Sequence, residues 1–379
     1  MKVGTRSPVD RQMPTIVRAL LVLALIYIFL VGVSSLEGGI KVMGADTQER
    51  LFSNVSNPVA GLFVGLLGTV LVQSSSASTS VIVGLVASGA LGVDDAVPMV
   101  MGANIGTTVT NTLVSLGHVR QGDEFKRAFA AATVHDFFNV MAVAILLPFE
   151  LITGALSSAA EEISDRLVGS AGSEWKSPIK EWVKEPVSWI QDGLDGLGAS
   201  GNVLGTLMVV AGLVLVLAAL TFITKNMRRL VADRIERSLN KVLGSGAGLV
   251  AMLLGLLITI SVQSSSITTS IMIPLAAAGV VTLRNIYPVT LGANVGTTIT
   301  ALLAALAASR PEALTVGLVH TIFNVSGIVL LYTHPKVRDV PIRLAEGLAQ
   351  LAVTRRTVAV AYVVGAFVVV PLLGVAILR

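Results

Sequence analysis

A chain of 379 residues that is 53% hydrophobic and only 13% charged, with a mean hydropathy of +0.81, is not an ordinary soluble domain, which carries about 25% charged residues. The formal net charge of +4 is small, and the Lys and Arg gather between apolar runs, so they report membrane orientation and exclude a nucleic-acid partner. No cysteine occurs, which excludes disulfides and thiolate metal sites.

Uncharged apolar windows near 20 residues recur along the chain, the length that crosses about 30 Å of hydrocarbon as a helix. Closed β-barrels need short alternating strands instead, so the sequence predicts an all-α polytopic membrane protein. Residues 1–57 give a basic N-terminus with Lys2, Arg6, Arg11 and Arg18, a retained first helix over 15–34 and an extracellular loop. The positive-inside rule places this N-terminus in the cytoplasm. Residues 58–155 predict a hairpin (58–90), a span interrupted at Gly102-Ala103-Asn104 (94–116) and a following helix (128–150). The stretch 156–201 is acidic and Trp-bearing and reads as an extracellular loop, partly amphipathic around "EWVKEPVSWI". Residues 202–243 form a linking helix over 203–223 and a basic cytoplasmic segment, "KNMRRLVADRIERSLNK". Residues 244–332 repeat the earlier plan as a hairpin (246–281), a broken span (285–308) and a helix (312–332). A basic cytoplasmic loop, 333–356, and a final transmembrane helix, 357–379, complete the chain.

The repetition is literal. "VQSSSASTS" at Val72–Ser80 returns as "VQSSSITTS" at Val262–Ser270, and "GANIGTTVT" around Asn104 returns as "GANVGTTIT" around Asn294. Gln73 and Gln263 lie 190 positions apart, as do Asn104 and Asn294; "HDFFN" at His135–Asn139 and "HTIFN" at His320–Asn324 follow at an offset of 185. Three ordered matches mark a duplication. Counting crossings, the first copy starts from outside and the second from inside, so every basic loop falls in the cytoplasm. Paired interrupted segments in such an inverted-topology repeat, with two re-entrant helical hairpins and two discontinuous helices, point to a secondary transporter whose site lies at the repeat interface.

The polar tips indicate the cargo. Irregular backbone at membrane depth is tolerated only where protein or a watered cavity satisfies it. Serine hydroxyls both donate and accept, so Ser74, Ser75, Ser76, Ser264, Ser265 and Ser266 suit an oxyanion as donors or a small cation as acceptors. Between 59 and 116 the charged residues are Asp94 and Asp95, and between 246 and 308 there is Arg284, all at segment ends. With no buried Lys or Arg to neutralise an anion and no buried carboxylate to relay protons, the counter-charge must arrive with a co-ion, which favours Na⁺ over H⁺. Blander roles compete for these residues: Ser, Thr and Gly pack membrane helices together, and His135 and His320 suit satisfied core positions. No catalytic set stands beside the serines, so the chain does not read as an enzyme.

The paired "QSSS" tips, "GANIGTTVTNTLVSL", "RAFAAATVHDFFN", "YPVTLGANVGTTITALLAAL" and "HTIFNVSGI" resemble the type II sodium/phosphate cotransporters. That resemblance implies Na⁺-driven uptake of inorganic phosphate by alternating access, in the cell (inner) membrane, with sodium ions as co-transported substrate and no cofactor. Its implied partners are phosphate, Na⁺ and the lipid bilayer, with a homodimer also admitted. On the resemblance, Ser74–Ser76 and Ser264–Ser266 meet phosphate. Gln73, Asn104, Thr107, Thr112, His118, Gln121, Asn139, Gln263, Asn294, Thr297, Thr300 and Asn324 bind or shape the sodium sites. Electrogenic animal members carry a Gln and an Asp where this chain has His118 and Gln121, and a Ser where it has Ala293. The lost carboxylate predicts electroneutral or weakly electrogenic transport. The alternatives are another small anion (arsenate, sulfate or an organic anion) on the same fold, and an anion channel.

Overall fold

A computed structural model describes residues 14–44, 57–120, 122–168, 178–243 and 248–378. Lys2, Arg6, Arg11 and Gln121 lie outside the described residues, as do the side chains of most of the basic stretch after Leu230. Every regular element among the described residues is helical, and six helices are long and apolar enough to cross a membrane. The chain therefore has the make-up of a polytopic membrane protein, in which helices satisfy their own backbone.

The first helix, α1 (Thr15–Met43), runs on past the expected 34 and pairs with the long α9 (Gly201–Leu243). Glycines permit their closeness: a Cβ on Gly32 would lie 2.9 Å from the Gly212 carbonyl oxygen. Copy one comprises α2 (Pro58–Val72), α3 (Ser75–Ser88), α4 (Val93–Gly106), α5 (Val109–Ser115) and α6 (Gly122–Thr153). Asn57 opens α2 as its N-cap, accepting from the amides of Val59 at 2.9 Å and Ala60 at 3.4 Å, with Pro58 pre-set for the first turn. Next come α7 (Ala155–Val168) and α8 (Pro178–Gly196), two amphipathic helices inside the stretch expected to be a loop.

Copy two repeats the plan with α10 (Gly248–Val262), α11 (Ser265–Ser270), α12 (Met272–Ala277), α13 (Leu283–Leu306) and α14 (Pro311–Tyr332). In each copy the first hairpin arm crosses the following helix backbone to backbone. A Cβ on Gly102 would meet the Leu62 carbonyl oxygen at 1.8 Å, and one on Gly292 would meet that of Met252 at 1.8 Å. The chain closes with α15 (Pro335–Thr354), then α16 (Arg356–Val364) and α17 (Val370–Leu378), joined by a π turn over Gly365–Val369.

Two expectations are corrected. The second span, expected to be broken, is one continuous helix, α13, although its "GANVGTT" echoes the interrupted "GANIGTT". The difference is tertiary: Ser266 Oγ donates to the Thr107 carbonyl at 3.4 Å, at the break between α4 and α5. Likewise Pro335–Thr354, within the stretch 333–356 expected to be a loop, forms a helix. Ile342, Ala345, Ala349 and Ala352 are buried at helical spacing, and the last two join Phe125, Phe129 and Ala130 at the start of α6.

Candidate functional site

Each tip is a two-residue turn whose glutamine takes the left-handed conformation. Gln73 has φ 55° and Gln263 φ 56°, the described non-glycine residues with positive φ. That region is disfavoured for a side chain of this length, and local bonds hold it. Gln73 Nε2 donates to the Val70 carbonyl at 2.6 Å, and Gln263 Nε2 to that of Ile260 at 2.8 Å. Each amide oxygen then accepts from the following helix, from Thr110 Oγ1 at 3.0 Å and Thr300 Oγ1 at 2.8 Å. Thr110 and Thr300 are again 190 apart, so the glutamine clasp is duplicated as a unit.

The next residue caps the second arm. Ser74 Oγ accepts from the Ala77 amide at 3.2 Å and Ser264 Oγ from the Ile267 amide at 3.4 Å. Ser75, Ser76 and Ser265 are buried at the starts of those arms, and Ser266 is half-buried. The two tips meet: Gln73, Ser74, Gln263 and Ser264 line one cavity of about 230 Å³, closed on a further side by Thr221 and Thr224 of α9. No charged side chain lines it among the described residues.

Beneath the tips lies a buried amide network that joins the copies. Asn104 Nδ2 donates to Asn139 Oδ1 at 3.2 Å and to Asn324 Oδ1 at 3.1 Å, and Asn294 Nδ2 donates to Asn139 Oδ1 at 2.6 Å. Asn139 Nδ2 returns a bond to the Asn104 carbonyl at 2.9 Å. His135 Nε2 stands 2.6 Å from Asn294 Oδ1, and His320 Nε2 stands 3.4 Å from Asn104 Oδ1. All six residues are at most 1% exposed. The network ties the helices that carry it together, while His135 Nδ1 and His320 Nδ1 have no partner among the described residues.

The expected residues divide accordingly. Thr300 belongs to the glutamine clasp, whereas Thr107 and Thr297 donate into their own helices, to the carbonyls of Ala103 at 3.2 Å and Ala293 at 3.1 Å. Asn104, Asn139, Asn294 and Asn324 come together. His118 does not join them; its Nδ1 faces Glu124 Oε2 at 3.6 Å in a 3₁₀ turn, Leu116–His118. The place of Gln121 falls outside the described residues.

One expectation about charge is overturned. Asp136, 1% exposed, is a buried carboxylate among these helices. Its Oδ2 accepts from Tyr362 of α16 at 2.9 Å and from Thr112 Oγ1 at 3.4 Å, while its Oδ1 has no partner among the described residues. An unpaired carboxylate oxygen among hydroxyl groups is a hard-oxygen donor set that suits a small cation. Its signal was in the repeat: Asp136 stands where the second copy has Thr321. Thr110, Thr221, Thr224 and Tyr362 were also not anticipated.

The Na+/Pi-cotransporter family model matches residues 28–169 and 215–354. The chain is 32% identical to the sodium-dependent phosphate transport protein 2B of Pongo abelii over 444 residues, covering 94% of this chain and 64% of that protein. It is 33% identical to the 2A proteins of Ovis aries (97% of this chain, 69% of that one) and Rattus norvegicus (93% and 66%). The chain thus spans less than two thirds of the 2B relatives' length. No solved structure matches the chain. On the family match and these relatives, the chain belongs to the Na+/Pi-cotransporter family.

Proposed function

We propose that this chain is a sodium-coupled symporter of inorganic phosphate, working by alternating access in the cell (inner) membrane with its N-terminus in the cytoplasm. The observation that carries it is the pairing of Gln73-Ser74 with Gln263-Ser264 across one uncharged cavity. Phosphate near neutral pH carries between about one and two negative charges. A cavity without Lys or Arg cannot neutralise it, so cations must enter with it. Ser74–Ser76, Ser264–Ser266 and the amide end of α3 supply donors for the oxyanion. Gln73, Gln263, Thr112, Asn139, Asn294, Thr297 and Thr300 supply oxygens to sodium, with Asn104, Thr107 and Asn324 shaping the same region; Asp136 joins this set. The relatives are sodium-dependent phosphate transport proteins, in keeping with that division.

The two copies are read as inverted re-entrant hairpins. In support, one set of ends gathers around Lys41, which bonds Ser309 at 2.8 Å, and around Arg310, which crowds Gly89 at the close of hairpin one. The opposite set gathers where Arg127 donates to the carbonyls of Ala276 and Ala277 at the close of hairpin two, and where Arg284 meets Asp339 at 2.9 Å. The domain limits given above and a homodimer belong to the same proposal. Two Na⁺ with divalent phosphate move no net charge, whereas a third, held by Asp136, would feel about 2.3 kcal/mol per 100 mV.

The test is uptake of ³²P-phosphate into proteoliposomes under an imposed Na⁺ gradient, with Ser75→Ala and Ser265→Ala alongside. Accumulation that requires Na⁺ and fails in both folded variants is the expected result. Phosphate uptake at full rate without sodium would refute the proposal, and displacement by sulfate or an organic anion but not by cold phosphate would change the cargo.

A further inference from the structure

The copies match at their tips but differ where each hairpin meets its surroundings. Asn111 on α5 reaches α11 of hairpin two: its Nδ2 donates to Thr269 Oγ1 at 2.7 Å, and its Oδ1 accepts from Ser270 Oγ at 2.9 Å. The Ser266 bond to the Thr107 carbonyl adds a tie to the same break. In copy two the position of Asn111 is held by Ala301, which lies in an apolar cluster with Ala77, Val83 and Ala304. On hairpin one, Thr79 and Ser80, the counterparts of Thr269 and Ser270, donate into their own helix, to the carbonyls of Ser75 at 2.8 Å and Ser76 at 2.6 Å. Thr269 likewise donates to the Ser265 carbonyl at 2.8 Å, so the copies differ in the Asn111 amide on Thr269 and in Ser270, which leaves its helix for Asn111.

Hairpin two is therefore pinned through directional bonds in a buried seam, with Asn111 1% and Thr269 3% exposed. Hairpin one lies in an apolar cluster that holds Phe29, Leu30 and Leu220 as well as Ala301 and Ala304. Apolar contact is non-directional, so that seam shifts without breaking a hydrogen bond. Pulling Thr269 and Ser270 from Asn111 leaves buried donors and acceptors unmade, which costs far more than the bonds contribute in place.

We propose that Asn111 is a positioning residue that latches hairpin two, so that hairpin one is the gate that opens first. The proposal rests on the transport reading above only for naming the sides: hairpin one then admits cargo from outside, and the cytoplasmic gate waits on the rupture of the Asn111 tie.

The absence of native cysteine gives a clean background for thiol accessibility. Ala87 and Ala277 are matched positions near the ends of the two second arms, 0% and 1% exposed. A membrane-impermeant maleimide, applied to proteoliposomes from each side, reads how often each hairpin lifts. The A87C thiol is expected to react about tenfold faster than the A277C thiol. Asn111→Ala should raise the A277C rate about tenfold and leave the A87C rate within about twofold. Thr269→Val combined with Ser270→Ala, which removes both hydroxyls that meet the Asn111 side chain, should do the same. Adding Asn111→Ala to that pair should bring no further acceleration, because both cut one tie.

An unchanged A277C rate in folded Thr269→Val/Ser270→Ala protein would overturn the latch, whatever becomes of Asn111→Ala. So would equal acceleration of both thiols, which reports general loosening. Labelled-phosphate uptake by the parent vesicles separates the two readings: its failure refutes the transport proposal and leaves the ratio of thiol rates standing. Modification of each thiol from the opposite side would refute the topology alone.

Discussion

Gly292→Ala tests whether the crossing of α10 and α13 positions the second tip. A Cβ added there lies 1.8 Å from the Met252 carbonyl oxygen and 2.7 Å from its carbon. Carbon–oxygen contacts ordinarily stop near 3.3 Å, so one backbone must retreat by about 1.5 Å. No rotamer can absorb that, because both partners are main chain. Overpacking of this kind costs about 1–3 kcal/mol. The displaced arm is the one that ends at Gln263, whose amide oxygen is held by Thr300 of α13 at 2.8 Å. A retreat of this size breaks that bond, and misplacement by about 1 Å at a working site costs on the order of 10²-fold in rate. Sodium-driven phosphate uptake should therefore fall at least about tenfold, with melting of the purified protein lowered by a few degrees. Gly347→Ala is the control, since a Cβ there meets nothing within 4 Å. Uptake within twofold of the parent for Gly292→Ala, at unchanged melting temperature, would refute the reasoning.

Three further outcomes follow from particular bonds. Thr300→Val removes the hydroxyl that fixes Gln263, worth about 1 kcal/mol, and should raise the half-saturating concentration of sodium or phosphate about fivefold; initial-rate uptake across both gradients checks it. Asn139→Leu strips the acceptor shared by Asn104 and Asn294. The buried Asn294 amide then lacks a partner, at about 1–3 kcal/mol, and Asn104 keeps only Asn324, so the yield of monodisperse protein on size exclusion should fall. Asp136→Asn should weaken sodium dependence while phosphate still binds. If currents proportional to uptake are seen in the parent and vanish in this variant, the electroneutral reading gives way to a third sodium at Asp136.

Much of the fold could be read from the chain because the signals were local. Apolar length gave the spans, and the repeated "QSSS" set in apolar flanks gave the tips, which do face one another. What could not be read depends on partners distant in sequence. "GANIGTT" and "GANVGTT" carry almost the same words, yet one breaks and the other continues, and the break lies where Ser266 donates from the other copy. Asp136 was hidden for a different reason. It sits between His135 and Asn139, outside the tip-bearing spans 59–116 and 246–308, and a carboxylate on an apolar helix reveals its burial only once Tyr362 and Thr112 close over it. The helical period of Ile342, Ala345, Ala349 and Ala352 was present in the sequence but was outweighed by the basic residues around it.

An inverted duplication with identical copies would have two gates of equal stability and no preferred direction of opening. Any bias must come from positions where the copies diverge. Three such positions make the first copy the more polar one. Asn111, Thr112 and Asp136 in the first copy face Ala301, Leu302 and Thr321 in the second. On the transport reading proposed above, the shared residues, Gln73 with Gln263 and Asn104 with Asn294, present the same oxygens and amides from either side, as a carrier must if it is to release what it binds. The divergent residues put a carboxylate and a hydrogen-bonded latch in the first copy only. Recognition then belongs to what the duplication preserved, and direction to what it lost.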